Sequence, residues 1–185
     1  MHTEIEAKLK VDSLQEVEHK LRQVNAEYVE EQLQTDTYFD DADSSLKSGD
    51  RALRIRRQRG GQKEKTFLTY KGPKQKDDFK KRQEIEIKIG DADSAEELLS
   101  VLGYEKALVF EKKRRVWHFE DCIVSLDELP LLGSFVEIEG PDGKSIAGVQ
   151  GKLGLSDLPH VVESYACLMQ QKLHQLGKNQ REVFL

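Results

Sequence analysis

The tripeptide Glu-Ile-Glu occurs three times in this chain, as Glu4-Ile5-Glu6, Glu84-Ile85-Glu86 and Glu137-Ile138-Glu139. In the first two copies the next charged position on the same alternation is a lysine, Lys8 or Lys88. Side chains alternate across a β-strand, so each copy puts its carboxylates on one face and an apolar residue on the other. Arg54 and Arg56, set against Leu53 and Ile55, repeat the pattern with the opposite sign. One such strand alone is an ordinary solvated sheet face. Many together are not, because flanking helices cannot cover both faces of so many strands. The arrangement that satisfies the whole set is an α+β fold. Its sheet closes into a barrel, with charges inward and apolar residues outward under helices.

The chain has 185 residues, enough for one domain with a substantial core. Charged residues make up 34% and the hydrophobic set 37%, which is polar for a single core. Apolar residues still recur regularly, unlike those of a disordered chain. The net charge of −5 argues against a general attraction to nucleic acid or an anionic membrane, so an anion site must be a local basic cluster. Cys122 and Cys167 have no metal-like spacing, which fits a reduced intracellular setting. With no signal peptide and no apolar run of spanning length, a soluble cytoplasmic protein is expected.

About eight strands and four helices are expected. Residues 3–11 alternate as a strand. Ser13 caps a helix to about Val24, with Glu16 completing a capping box. A short strand spans Thr35–Phe39, an acidic loop Asp40–Ser48, and a strand Arg51–Gln58. Gly60-Gly61 marks a hairpin to Lys65–Lys71. Gly72-Pro73 opens a mobile loop, Lys74–Lys81, followed by a strand at 82–89. Asp93 or Ser94 caps a helix that Gly103 stops. Val109–Phe119 and Ile123–Leu126 form a hairpin, and Ser134–Glu139 is the last strand. Helices near Ser145–Leu153 and Val161–Leu176 precede a loose tail. Strand-helix-strand occurs twice, each time from a Glu-Ile-Glu copy, which hints at an internal duplication.

The acidic face residues are Glu4, Glu6, Glu84, Glu86, Asp127, Glu137 and Glu139. The basic ones are Lys8, Arg54, Arg56, Lys71, Lys88, Lys112 and Arg114. Such an interior is costly unless its charges find partners. Crowded carboxylates repel, and a divalent cation relieves them. Hard oxygen donors of this kind suit Mg²⁺ or Mn²⁺. The guanidinium and ammonium groups suit phosphate oxygens. Together they point to a metal–triphosphate or metal–nucleotide complex. Lys112 and Arg114 lie on one strand face and Lys113 and Arg115 on the other, and alternation alone leaves open which pair points inward.

These residues resemble the CYTH superfamily, the triphosphate tunnel metalloenzymes. The resemblance is carried by Glu4-Ile5-Glu6-Ala7-Lys8, Thr37-Tyr38-Phe39-Asp40, Leu53-Arg54-Ile55-Arg56 and Thr69-Tyr70-Lys71-Gly72-Pro73. It continues through Arg82-Gln83-Glu84-Ile85-Glu86, Glu111-Lys112-Lys113-Arg114 and Leu132–Glu139, covering roughly residues 2–175. Tyr70-Lys71-Gly72-Pro73, Gly133–Glu137 and Glu163-Ser164-Tyr165 look most like the class IV adenylyl cyclase branch.

The resemblance implies a closed eight-stranded antiparallel barrel over residues 1–177, with 178–185 as a tail. It implies metal ligands at Glu4, Glu6 and Glu137, with Glu139, Glu84, Glu86 and Asp127 as further candidates. Catalytic and phosphate-binding roles fall to Lys8, Arg54, Arg56, Lys71, Lys112 and Arg114, and Arg82 joins the substrate set. Lys112 and Arg114, not their neighbours, are thereby assigned inward.

The implied reaction is ATP to cyclic AMP and pyrophosphate with Mg²⁺ or Mn²⁺. The same tunnel also suits hydrolysis of tripolyphosphate, thiamine triphosphate or a nucleoside triphosphate, or binding without turnover. A homodimer is a further implied partner. Outside this set, Tyr165 and Trp117 read as core residues and His118 as an exposed histidine. Asp40, Asp41, Asp43 and Asp50 read as a solvated loop.

Overall fold

The computed structural model describes residues 2–61, 63–75 and 79–185. Its strands are β1 (His2–Val11), β2 (Glu27–Asp40), β3 (Ala52–Gly60), β4 (Lys63–Gln75), β5 (Lys80–Ile89), β6 (Glu105–Phe119), β7 (Cys122–Leu129), β8 (Gly133–Glu139) and β9 (Glu182–Val183). The helices are α1 (Leu14–Gln23), α2 (Ser45–Ser48), α3 (Ala92–Val101), α4 (Gly143–Lys152) and α5 (Tyr165–Gln175). The sheet order is β2-β3-β4-β5-β1-β8-β7-β6, and β6 pairs back onto β2 to close an eight-stranded barrel. Every pairing around the ring is antiparallel, and β9 adds to β6 in parallel from outside the ring. Advancing each strand number by four maps the cyclic order onto itself. The expected duplication therefore has a counterpart in the topology, with β1–α1–β2 matching β5–α3–β6.

The alternation works as expected on most strands. Outward residues Ala7, Leu9, Val124, Leu126, Val136 and Ile138 are buried beneath α1 and α4, which contribute Leu14, Val17, Leu21, Ile146, Val149 and Leu153. A second cluster places Ala92 and Leu99 of α3 over Phe39 and Ile55. Ile85 and Ile87 of β5 also face outward, but among the described residues no helix covers them, and they are 42% and 51% exposed. A third cluster lies at one barrel end, where Tyr165, Met169 and Leu173 of α5 pack on Leu108, Phe110, Leu129 and Phe135.

Several expectations need correction. β2 is far longer than Thr35–Phe39, because Glu27–Gln34 pairs with β6 even though both of its faces are largely polar. α2 occupies part of the expected acidic loop, with Asp40 accepting from the backbone N–H groups of Leu46 and Lys47. β4 continues past Gly72-Pro73 through a register shift between Lys71 and Lys74, where a proline fits because the ladder is interrupted. Of the expected mobile loop, residues 76–78 lie outside the described residues. α3 is capped by Asp91, which accepts from the N–H groups of Asp93 and Ser94. α5 starts at Tyr165, not Val161, because the N–H of Val161 is bonded to the carbonyl of Lys8. The tail is not loose throughout, since Val183 is buried against Phe110. Among the described residues no helix is long and apolar enough to cross a membrane.

Candidate functional site

The barrel encloses a cavity of about 240 Å³ whose wall is almost wholly charged. β1 supplies Glu4, Glu6 and Lys8, β3 supplies Arg54 and Arg56, β4 supplies Lys71, and β5 supplies Lys80, Arg82, Glu84 and Glu86. Lys112 and Arg114 come from β6, Glu137 and Glu139 from β8. Within the sequence-derived set, Lys88 is exposed and takes no part in the wall, and Asp127 lies fully buried just behind it. The open question on β6 resolves in favour of Lys112 and Arg114. Arg115 turns outward to an ion pair with Glu18 of α1.

Every cation in this interior is held by an acid. Lys71 lies between Glu4 at 2.8 Å and Glu84 at 2.7 Å. Lys80 pairs with Glu6. Lys8 meets Glu137 at 3.3 Å and donates to the carbonyl of Glu163 at 3.0 Å. Arg56 donates to both oxygens of Asp36, at 2.6 and 2.8 Å, and Arg54 lies 3.6 Å from the same carboxylate. Arg114 reaches both Asp127 and Glu137, and Lys112 lies 3.6 Å from Asp127. Arg82 donates to the carbonyl and carboxylate of Asp50, leaving its buried Nε without a hydrogen-bond partner. Counting Asp36 and Asp127, eight carboxylates face eight cationic groups among the described residues.

The electrostatics follow from this pairing. Burial alone would raise the Asp36 carboxyl, but Arg56 and Arg54 hold it well below the usual carboxylate range. Burial likewise opposes ionisation of Glu137, and Lys8 and Arg114 overcome it. Burial pushes Lys112 down to about 7, helped by Arg114 and resisted by Asp127. Glu139 differs from the other acids. Among the described residues it has no ion pair, and burial, then Glu4 and Glu6, raise its carboxyl to about 7.

Glu139 therefore marks uncompensated negative charge beside Glu4 and Glu6. These hard oxygen donors fit a divalent cation in kind. Among the described residues, no three acidic, imidazole or thiol groups already converge as a cage. Loading the site means moving Lys71 off Glu4 and Lys80 off Glu6.

Six wall residues, Asp36, Tyr38, Ala52, Lys80, Ser164 and Tyr165, lie outside the sequence-derived set. Lys80 extends the alternation of Arg82, Glu84 and Glu86 but falls in the segment whose Gly72-Pro73 opening signals a loop. Asp36 and Tyr38 continue the inward series of Gln32 and Gln34 on the strand that was cut short. Tyr165 lines the cavity as well as packing in the core.

A second cavity of about 420 Å³ adjoins the first and shares Tyr38, Ala52, Arg82 and Ser164 with it. It forms a vestibule walled by the loop after β2 and the first turn of α5.

A closed antiparallel barrel with acids and bases paired across its interior defines a charged-tunnel protein. The chain belongs to the CYTH domain family, whose model matches residues 2–152. That superfamily comprises adenylyl cyclase-like enzymes and triphosphatases that act on triphosphates with divalent cations. The chain is 34% identical over 149 residues to a Methanocaldococcus jannaschii protein provisionally named an adenylate cyclase, covering 80% of this chain and 81% of that one. It is 28% identical over 180 residues to the adenylate cyclase CyaB of Aeromonas hydrophila, covering 92% and 90%. The structure of the PH1819 protein of Pyrococcus horikoshii superposes with a TM-score of 0.81 at 31% identity, covering 91% of this chain and 99% of that one.

Proposed function

We propose that the protein is a divalent-metal-dependent enzyme of the adenylyl cyclase type, converting ATP to cyclic AMP and pyrophosphate. The observation that carries this reading is that one closed tunnel gathers a carboxylate cluster lacking full compensation and a set of cations suited to phosphate. Glu4, Glu6 and Glu139 lie on the neighbouring strands β1 and β8, Arg54 and Arg56 on β3, opposite β8, and Lys112 and Arg114 on β6, two strands from β8. The acids would hold Mg²⁺ or Mn²⁺, with Glu84 and Glu86 as candidates for a second ion and Glu137 between the two sets. Such an ion, when bound, neutralises phosphate charge and lowers the pKa of an attacking hydroxyl.

The residues do the rest by position. Arg54 and Arg56 offer forked donors to phosphate oxygens, and Lys8, Lys71 and Lys112 offer ammonium groups. Asp36 and Asp127 hold the guanidiniums in place before substrate arrives, so little reorganisation is needed during reaction. The 3′-hydroxyl attacks the α-phosphorus as its proton passes to solvent, the bond from the α-phosphorus to the bridging oxygen breaks, and pyrophosphate departs towards Lys112 and Arg114. The adjoining vestibule has room for a nucleoside, which favours an organic triphosphate over bare tripolyphosphate. Arg82, at the junction, is placed to meet the group linking the two.

The test is incubation with ATP, tripolyphosphate and thiamine triphosphate, each with Mg²⁺ or Mn²⁺, followed by product chromatography. Cyclic AMP with pyrophosphate supports the proposal. Inorganic phosphate without cyclic AMP overturns it in favour of a triphosphatase. Tight binding without turnover means a triphosphate-binding module.

A further inference from the structure

Tyr165 is the first residue of α5 and is 6% exposed. As a core residue it needs only its contact with Phe135, an edge-to-face approach at 5.3 Å. Beyond the apolar cluster at this barrel end, its contacts are with charged groups. The Lys8 ammonium lies 4.1 Å from the ring centroid and the Lys112 ammonium 4.9 Å. The hydroxyl donates to Asp127 at 2.8 Å, and the same carboxylate binds Arg114. Lys8 belongs to β1 and Lys112 to β6, strands that do not pair with each other, so the ring joins cations from separate parts of the wall.

We propose that Tyr165 is the positioning residue for the phosphate-binding cations. Its ring is the common seat of Lys8 and Lys112, and its hydroxyl fixes the carboxylate that aims Arg114. This rests on the reading of the tunnel as a triphosphate site. The physical need is clear. A lysine head on a four-carbon stem has many rotamers and turns to the nearest carboxylate unless something holds it. Lys8 and Lys112 are 1% and 2% exposed, so water does not hold them; Glu137 and Asp127 attract them, and the desolvated aromatic face between fixes where they sit. The anchor also ties the start of α5 to the site, because Lys8 donates to the carbonyl of Glu163 on the same turn of chain.

Two full-length variants, Tyr165→Phe and Tyr165→Met, separate ring from hydroxyl and both from bulk packing. Proton NMR of the Lys8 and Lys112 ε-methylene groups reads the seat directly, without substrate. Ring-current shifts are expected in the wild type and in Tyr165→Phe, and are lost in Tyr165→Met. Calorimetry with tripolyphosphate, and kinetics with ATP and Mn²⁺, read the consequence. Tyr165→Met should weaken tripolyphosphate binding and raise KM by roughly tenfold, with kcat changed by less than about threefold. Tyr165→Phe should restore most of the affinity.

Equal behaviour of the two variants, or unchanged affinity in a folded Tyr165→Met, overturns the proposal. So does the absence of shifts in the wild type, which decides the matter even if the methionine variant fails to fold. Shifts in a wild type that binds no tripolyphosphate would instead overturn the triphosphate reading, and with it the role assigned to a seat shown to exist.

Discussion

The carboxylate of Asp36 grips the guanidinium of Arg56 at both ends, and no water-facing route relieves it, since Asp36 is 1% exposed. Asp36→Asn leaves two arginines facing each other without their shared acid. The substitution should cost about 3–5 kcal/mol in urea unfolding, the range for breaking a buried pair from one side. Saturating tripolyphosphate should recover part of that loss by supplying the missing charge. An equal deficit with and without tripolyphosphate would show that no phosphate reaches Arg54 and Arg56.

Glu139 sets a pH dependence whose sign can be worked out. Burial, then Glu4 and Glu6, push its carboxyl up to about 7 from an ordinary value of 4.5. A raised carboxyl favours the protonated folded state, so its contribution is full below about 4.5 and is lost as pH rises through 7. In the metal-free protein, Glu139→Gln should remove this term. Between pH 5 and pH 8 the wild type should lose about 1–3 kcal/mol more than the variant. Parallel stability curves would sink the assignment.

Glu6→Gln removes an acid from the proposed cation site and releases Lys80 from its partner. Turnover should fall to background, and Mn²⁺ affinity should drop by at least about tenfold in calorimetry. Full activity in this variant would refute the metal assignment to β1.

A triphosphate bound in the tunnel must stabilise the fold through linkage. At a hundred times its dissociation constant, tripolyphosphate with Mg²⁺ should add about 2.7 kcal/mol, readable as a raised melting temperature. Arg54→Gln and Lys112→Gln should each reduce that increment. A melting temperature indifferent to tripolyphosphate would mean that the charged barrel is structural only.

The barrel was legible because period-two alternation separates charge from apolar residues on β1, β3, β5 and β8. Lys8, Arg54, Glu84 and Glu139 could be placed inward from that alone. The pattern failed where both faces of a strand are polar. Gln32 and Gln34 point into the barrel while Glu31 and Leu33 point out, so the first half of β2 carries no apolar stripe. Asp36 lies within the expected Thr35–Phe39, but without Gln32 and Gln34 before it no inward series marks its face. Lys80 was lost because Gly72-Pro73 normally signals a loop, whereas here the proline sits at a bulge within a continuing strand. The two roles of Tyr165 could not be separated by sequence, because a helical stripe looks the same whether its ring meets a leucine or two ammonium groups.

The matched number of opposite fixed charges in the tunnel makes it behave like a mixed-bed ion exchanger. A polyanion entering alone would leave the interior negative, and a divalent cation entering alone would leave it positive. Anion and cation are each the other's admission condition, so each should tighten the other's binding by the same factor. On the proposed reading, the species that crosses the mouth of the barrel most easily is the metal salt of the triphosphate, whose charge is partly neutralised. Lysine heads released from their carboxylates then turn to the phosphates as the metal takes their place.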